Sequence, residues 1–206
     1  MADPKQKGPT PPFPKQEQQP PGTEQAMEPR PDHGEVTYKG FDRLKDKAAV
    51  VTGADSGIGR AVALAFAREG ADVLISYWNE HEDARETQKV VEAAGRRAVL
   101  VPGDLAEESH CRRVIEAAAR EFGRIDLLVN NAAYQGKAVE KVEEIDAQRL
   151  RRTFAVNIEA TFHLVRYPGG GILLEGEEPA VREGIPDGAA RAARGAGPGV
   201  RLPGLG

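Results

Sequence analysis

Cysteine is almost missing from this 206-residue chain. Cys111 stands alone, so no internal disulfide can form, and its place in a predicted helix reads as a small, partly buried apolar residue. Long apolar runs are missing too. Nothing approaches the roughly 20 residues of a membrane span, and no signal-peptide core opens the chain. There is no basic excess: the net charge is −4 and the pI near 5.7, so no general basic surface is expected to meet nucleic acid. The four histidines, His33, His81, His110 and His163, are scattered without ligand spacing, so no metal site is expected. A reducing, cytoplasmic setting is the simplest expectation.

What is present divides into three kinds of polymer. Residues 1–42 are rich in Pro, Gln, Lys and Glu, and contain few residues able to build a core. They read as a disordered arm, either a solvated tail or a strap across a neighbouring subunit, with a polyproline ligand as the other reading. Residues 43–167 alternate strand and helix: strands at about 48–52, 72–76, 97–101 and 126–130, helices at about 58–70, 80–94, 106–122 and 148–166. Val114, Ile115 and Ala118 make a helical stripe in the third helix. Leu150, Phe154, Ile158, Phe162 and Val165 do so in the last, and both stripes are expected to be core contacts. This alternation implies an α/β fold, a Rossmann-type doubly wound parallel sheet with helices on both faces and ligands at the strands' C-terminal ends. Residues 168–206 hold sixteen Gly or Pro in thirty-nine positions. Regular structure is opposed at that density, and the tail reads as a shifted frame of a G+C-rich gene.

Thr52-Gly53-Ala54-Asp55-Ser56-Gly57-Ile58-Gly59 lies between the strand-like Ala48-Ala49-Val50-Val51 and an Ala-rich helical stretch closed by Gly70. Strand, glycine turn and helix in that order make a phosphate cradle. The glycines let the backbone approach a pyrophosphate, and the helix N-terminus offers N–H groups and a positive dipole end. By itself the pattern is equally a tight strand-to-helix turn.

Three downstream elements favour the cradle. Asn130-Asn131-Ala132-Ala133 follows the apolar run Ile125–Val129, Gly103-Asp104-Leu105 follows Ala98–Val101, and Phe154-Ala155-Val156-Asn157 lies in the last helix. With T-G-x-x-x-G-I-G, these resemble the short-chain dehydrogenase/reductase family over about Gly40 to Arg166, Ala133 replacing the family's usual glycine. The Pro-rich leader, ending in Pro31-Asp32-His33-Gly34-Glu35 and then Tyr38-Lys39-Gly40, is similar to a bacterial stress-associated branch. The resemblance implies an NAD(P)-dependent oxidoreductase acting on a small carbonyl or alcohol, homo-oligomeric in the family. In the cofactor site it assigns Gly53, Gly57 and Gly59 to the turn, with Asp55, Ser56 and Ile58 supplying its backbone and a hydroxyl. It gives Asp104 and Leu105 to adenine, and Asn131, Ala132 and Ala133 to the ribose side.

Carbonyl reduction needs a proton donor and something that lowers the donor's pKa. In the family these are a Tyr, a Lys four residues on and a Ser, with an Asn completing a proton relay. Only the Asn has a counterpart, Asn157, which from the residues alone is equally a polar group on an exposed helix face. Tyr167 is the one tyrosine after Asn157, and its i+4 residue is Gly171; no lysine follows Lys141 and no serine follows Ser109. The chain is therefore expected to be nearly inert and its sheet incomplete after the fourth strand, with low solubility. Cofactor choice is read about 20 residues beyond the glycines, where an acid favours NAD and a following arginine NADP. Ser76-Tyr77-Trp78-Asn79 offers neither. Lacking a carboxylate to repel a 2′-phosphate, the segment leans to NADP, with Ser76 and Asn79 as donors and Tyr77 in the site. Trp78 is read as an adenine stack or a rim aromatic, and Tyr134 as substrate-lining or a surface aromatic.

Overall fold

A computed structural model of the chain describes residues 12–16, 26–35 and 37–167. The tail assigned to 168–206, and residues 1–11, 17–25 and 36 of the arm, lie outside the described residues. Four strands, β1 (Ala48–Thr52), β2 (Asp72–Tyr77), β3 (Ala98–Pro102) and β4 (Leu127–Val129), form one parallel sheet in the order β3-β2-β1-β4. Between them run α1 (Gly57–Arg68), α2 (His81–Ala93) and α3 (Glu108–Phe122), and α4 (Ala147–Phe154) and α5 (Ala160–Arg166) follow β4.

Every residue of β1 and β2 is buried, which is why Ala48–Val51 and Val73–Ile75 read as unbroken apolar runs and not as alternating ones. Alternate side chains feed two separate cores. Val50 and Leu74 pack with Val114, Ile115 and Ala118 of α3 and Ala160 and Leu164 of α5. Val51, Val73 and Ile75 pack on the other face with Ala63 and Ala67 of α1 and Ala84 and Val91 of α2. The sheet is thus doubly wound, as the α/β alternation implies. The chain moves outward from β1 to β2 and β3, then returns to the far side of β1 for β4. The reversal places the topological switch between β1 and β4, the place where open sheets of this kind hold ligands. Among the described residues no helix is long and apolar enough to cross a membrane.

The α3 stripe is buried as expected, but the last stripe is not. Leu150, Phe154, Ile158, Phe162 and Val165 are 51–66 % exposed, and the inward face is Val156, Ala160 and Leu164. This stretch carries two apolar stripes, and periodicity alone does not say which one meets the sheet. A π-helical turn at Ala155–Glu159 also shifts the phase between α4 and α5. Exposed apolar surface of this kind favours association and poor solubility.

The arm's last residues are fastened to the C-terminal end of α1. Glu69, 4 % exposed, accepts hydrogen bonds from the Tyr38 hydroxyl (2.5 Å), the Phe41 and Arg43 backbone N–H groups (2.9 and 3.0 Å) and the Arg43 guanidinium (2.7 and 3.0 Å). Arg68 donates to the carbonyls of Gly34, Glu35 and Tyr38. The Tyr38 hydroxyl foremost, then Arg43, holds the Glu69 carboxyl at about 2, down from its ordinary 4.5. A depressed folded-state pKa contributes stability that is complete above pH 4.5 and lost as pH falls towards 2. Glu69→Gln should therefore lower the urea midpoint at pH 7. The gap to wild type should close as pH falls from 4.5 to 2, and a gap that stays constant with pH would contradict the assignment.

Candidate functional site

The switch between β1 and β4 is closed by side-chain bonds at the strand ends. Thr52 Oγ1 accepts the N–H groups of Asn131 and Ala132 (both 3.0 Å) and donates to the Val129 carbonyl (3.3 Å). Asn131 Nδ2 donates to the carbonyls of Thr52 (2.9 Å) and Gly53 (3.0 Å). Gly59 packs beneath this junction: a Cβ there would stand 1.9 Å from the Gly53 carbonyl oxygen and 2.7 Å from Asn131 Nδ2. Only glycine allows α1 to sit so close to the strand end.

Above the junction opens a cavity of about 550 Å3. Of the residues singled out from the sequence, Gly53, Asp55, Ser56, Ile58, Tyr77, Asp104, Leu105, Asn131, Ala132 and Ala133 line it together. Gly57 begins α1 at φ +52° with nothing within 4 Å of a Cβ position, and Gly59 lies one layer beneath.

Ser76 and Asn157 do not line the cavity. Ser76 is fully buried in β2, paired in register with Thr52 and Val101, and its hydroxyl has no hydrogen-bond partner among the described residues. It does not line the cavity because the strand's last residues alternate in direction, and Tyr77 takes the cavity side. Asn157 sits in the π-helical turn with its amide already engaged: Oδ1 accepts from the Tyr134 N–H (2.7 Å) and Nδ2 donates to the Tyr134 carbonyl (3.0 Å). Its side chain positions the loop after β4, which carries Tyr134 into the cavity wall.

The turn before α1 suits an anion. Its first helical turn carries no acidic side chain, and the Ser56 hydroxyl donates to Asp55 (3.0 Å) instead of capping the helix. Arg60, 3 % exposed, fixes the turn from behind. Its Nη2 and Nε donate to the Asp55 carbonyl (2.7 and 3.1 Å), as does Thr87 Oγ1 (2.9 Å), and Nη2 also reaches the Asp83 carbonyl (3.0 Å). With that carbonyl drawn towards α2, a trans peptide directs the Ser56 N–H the opposite way, from the guanidinium side outward. Burial raises the Asp55 carboxyl above its ordinary value.

The far end is built from three loops and α4. Asp104 Oδ1 accepts the Ala106 N–H (2.8 Å) and Oδ2 accepts Arg152 Nη1 (2.6 Å). Burial alone would raise the Asp104 pKa; these bonds outweigh it and bring the carboxyl below its ordinary value. The Arg152 guanidinium lies 5.3 Å from the Trp78 ring centroid and 5.6 Å from that of Tyr134. Nothing in the sequence pattern marks Arg152, one of several arginines on a polar helix. Beneath the site, Cys111 is fully buried and donates to the Leu105 carbonyl (3.3 Å), and burial pushes its thiol to about 11, which makes it unreactive.

A doubly wound parallel sheet with a glycine turn at its switch point and an acid after the third strand defines a Rossmann-type fold. The family described as short chain dehydrogenase matches residues 47–168, and the chain belongs to that family of oxidoreductases. It is 46 % identical over 155 residues to the oxidoreductase YhxD of Bacillus subtilis, covering 75 % of this chain and 52 % of that one. It is 47 % identical over 146 residues to General stress protein 39 of the same organism, covering 71 % and 51 %. Among solved structures, a short chain dehydrogenase from Burkholderia cenocepacia in complex with NADP aligns with a TM-score of 0.57 and 35 % identity, over 60 % of this chain and 49 % of that one. The chain spans about half the length of the curated relatives it matches.

Proposed function

We propose that residues 43–167 form a module that binds a nicotinamide dinucleotide, NADP in preference to NAD. Its diphosphate would rest on the turn Gly53–Gly59, its adenine against Asp104 and Leu105, and its ribose side against Asn131, Ala132 and Ala133. One observation carries this reading: the first turn of α1, free of acidic side chains, opens into the same cavity as Asp104, Leu105 and Asn131. The NADP held by the Burkholderia relative supports the choice of ligand, and the absence of a carboxylate in Ser76–Asn79 supports the 2′-phosphorylated form.

By kinship the chemistry is hydride transfer between that cofactor and a small carbonyl or alcohol, in a cytoplasmic protein that associates with its own kind. The cofactor would supply the hydride; this chain's residues bind and orient it. The Tyr-x-x-x-Lys pair and the Ser have no counterparts here, and losing one general acid alone costs about 10²–10⁴ in rate. The second reading, a module that binds without turnover, is favoured by that missing set. Titration with NADH and NADPH by fluorescence, beside an assay of carbonyl reduction, tests both. The expected result is saturable binding with no reduction above background. Ordinary turnover would contradict the non-catalytic reading, and folded protein that leaves both nucleotides unchanged would contradict the site.

A further inference from the structure

We infer that Arg152 reads the 2′-position of the bound nucleotide and gives the site its preference for a 2′-phosphate. This rests on the dinucleotide reading above. In dinucleotide sites the residue about 20 positions after the glycine turn lies beside the adenosine ribose, and an arginine nearby accommodates a 2′-phosphate. That position here is Trp78, which offers no charge. The structure brings a guanidinium to it from α4, some seventy residues later in sequence: Arg152 lies 5.3 Å from the Trp78 ring.

Among the described residues Arg152 is the one cationic side chain lining the cavity, whose other charged residues are Asp55, Glu80 and Asp104. It is held and not exhausted. Nη1 bonds Asp104 (2.6 Å), the guanidinium lies over the Trp78 and Tyr134 rings (5.3 and 5.6 Å to the centroids), and Nε and Nη2 have no hydrogen-bond partner among the described residues. A guanidinium has five N–H donors in a fixed fork, suited to phosphate oxygens. Fixing Nη1 on Asp104 beside two aromatic rings restrains the rest, so little rotamer freedom remains to be lost on binding. The acids Asp104 and Glu80 oppose a dianion there. A second cavity of about 510 Å3 shares Tyr134 and Arg152 with the first and adds Arg149, Arg151 and Asp146, so that the far side of this end keeps an excess of positive charge. A 2′-hydroxyl has only a neutral hydrogen bond to offer Arg152, whereas a 2′-phosphate would gain a charge-assisted one.

The test uses the full chain and measures dissociation constants for NADPH and NADH, with 2′,5′-ADP and 5′-AMP as competing probes, for wild type, Arg152→Gln and Arg152→Lys. The NADPH-to-NADH affinity ratio should fall about thirty-fold in Arg152→Gln, the scale of one hydrogen bond to a charged group. It should be partly kept in Arg152→Lys, and 2′,5′-ADP should lose its advantage over 5′-AMP in step. Should Arg152→Gln not fold, wild type alone decides: NADPH affinity should fall more steeply with salt than NADH affinity. An unchanged ratio, an equal loss for both nucleotides, or equal salt slopes would overturn the role of Arg152 while leaving the dinucleotide site standing. Wild type that binds neither nucleotide would overturn the site itself.

Discussion

Alanine at Gly59 should remove nucleotide binding and much of the stability together. The added Cβ meets backbone at 1.9 Å and the Asn131 amide at 2.7 Å, so α1 must lift from β1 or the β1–β4 junction must part. Either movement breaks the Asn131 bonds to the Thr52 and Gly53 carbonyls and tilts the N–H groups of the turn. Overpacking of a close contact costs about 1–3 kcal/mol or more, which for a domain of this size lowers Tm by roughly 5–10 °C. The NADPH dissociation constant should rise at least about ten-fold, which amounts to ~1.4 kcal/mol. Gly57→Ala is the instructive companion. Its Cβ meets nothing, and only the left-handed backbone at φ +52° resists it, a cost of about 1–2 kcal/mol. Thermal melts and fluorescence titrations of both variants check this, and Gly59→Ala that behaves like wild type would refute the packing argument.

Arg60→Met should have the larger effect on stability. Arg60 is 3 % exposed and lies 3.8 Å from Asp83 and 3.5 Å from Glu86 while holding two carbonyls and the Thr87 hydroxyl. Methionine fills similar volume but leaves buried acceptors without these donors and acids without this cation. Removing one partner of a buried ion pair costs about 3–5 kcal/mol, a large share of the roughly 5–15 kcal/mol of a typical domain. A urea midpoint shifted by that amount is expected. Thr87→Val, which removes one donor to the Asp55 carbonyl, should cost about 1–2 kcal/mol. An Arg60→Met midpoint equal to wild type would show that α2 and the turn hold without the guanidinium.

The elements that were legible in the sequence are those whose local chemistry and tertiary role agree. The buried runs at 48–52 and 72–77 have no alternation because both faces are covered, and the glycines of the turn stand where the backbone must come close. Strand ends carried the candidate site into view, since Asp104 and Asn131 follow apolar runs directly. The less legible features depend on direction. Ser76 and Tyr77 are neighbours, yet the pleat sends one into the sheet and the other to the cavity. Phe154 and Phe162 match a helical stripe as well as Val156 and Leu164 do, and only packing reveals which stripe is inside. Asn157 stands where the family motif places it, but which of its atoms are engaged depends on the loop after β4. Arg152 and Arg60 are single charges on helices whose partners lie at residues 78, 104, 55 and 87. No short-range pattern announces such contacts.

Backbone amide shifts on addition of NADPH test the site most directly, because they locate the ligand without requiring turnover. In a proton–nitrogen correlation spectrum of the full chain, saturable shifts should gather at Gly53–Gly59, at Asp104–Ala106 and at Asn131–Tyr134, with the C-terminal ends of α1 and α3 unmoved. Shifts confined to the opposite end of the sheet, or a spectrum of folded protein that NADPH leaves unaltered, would contradict a dinucleotide seated at the switch between β1 and β4.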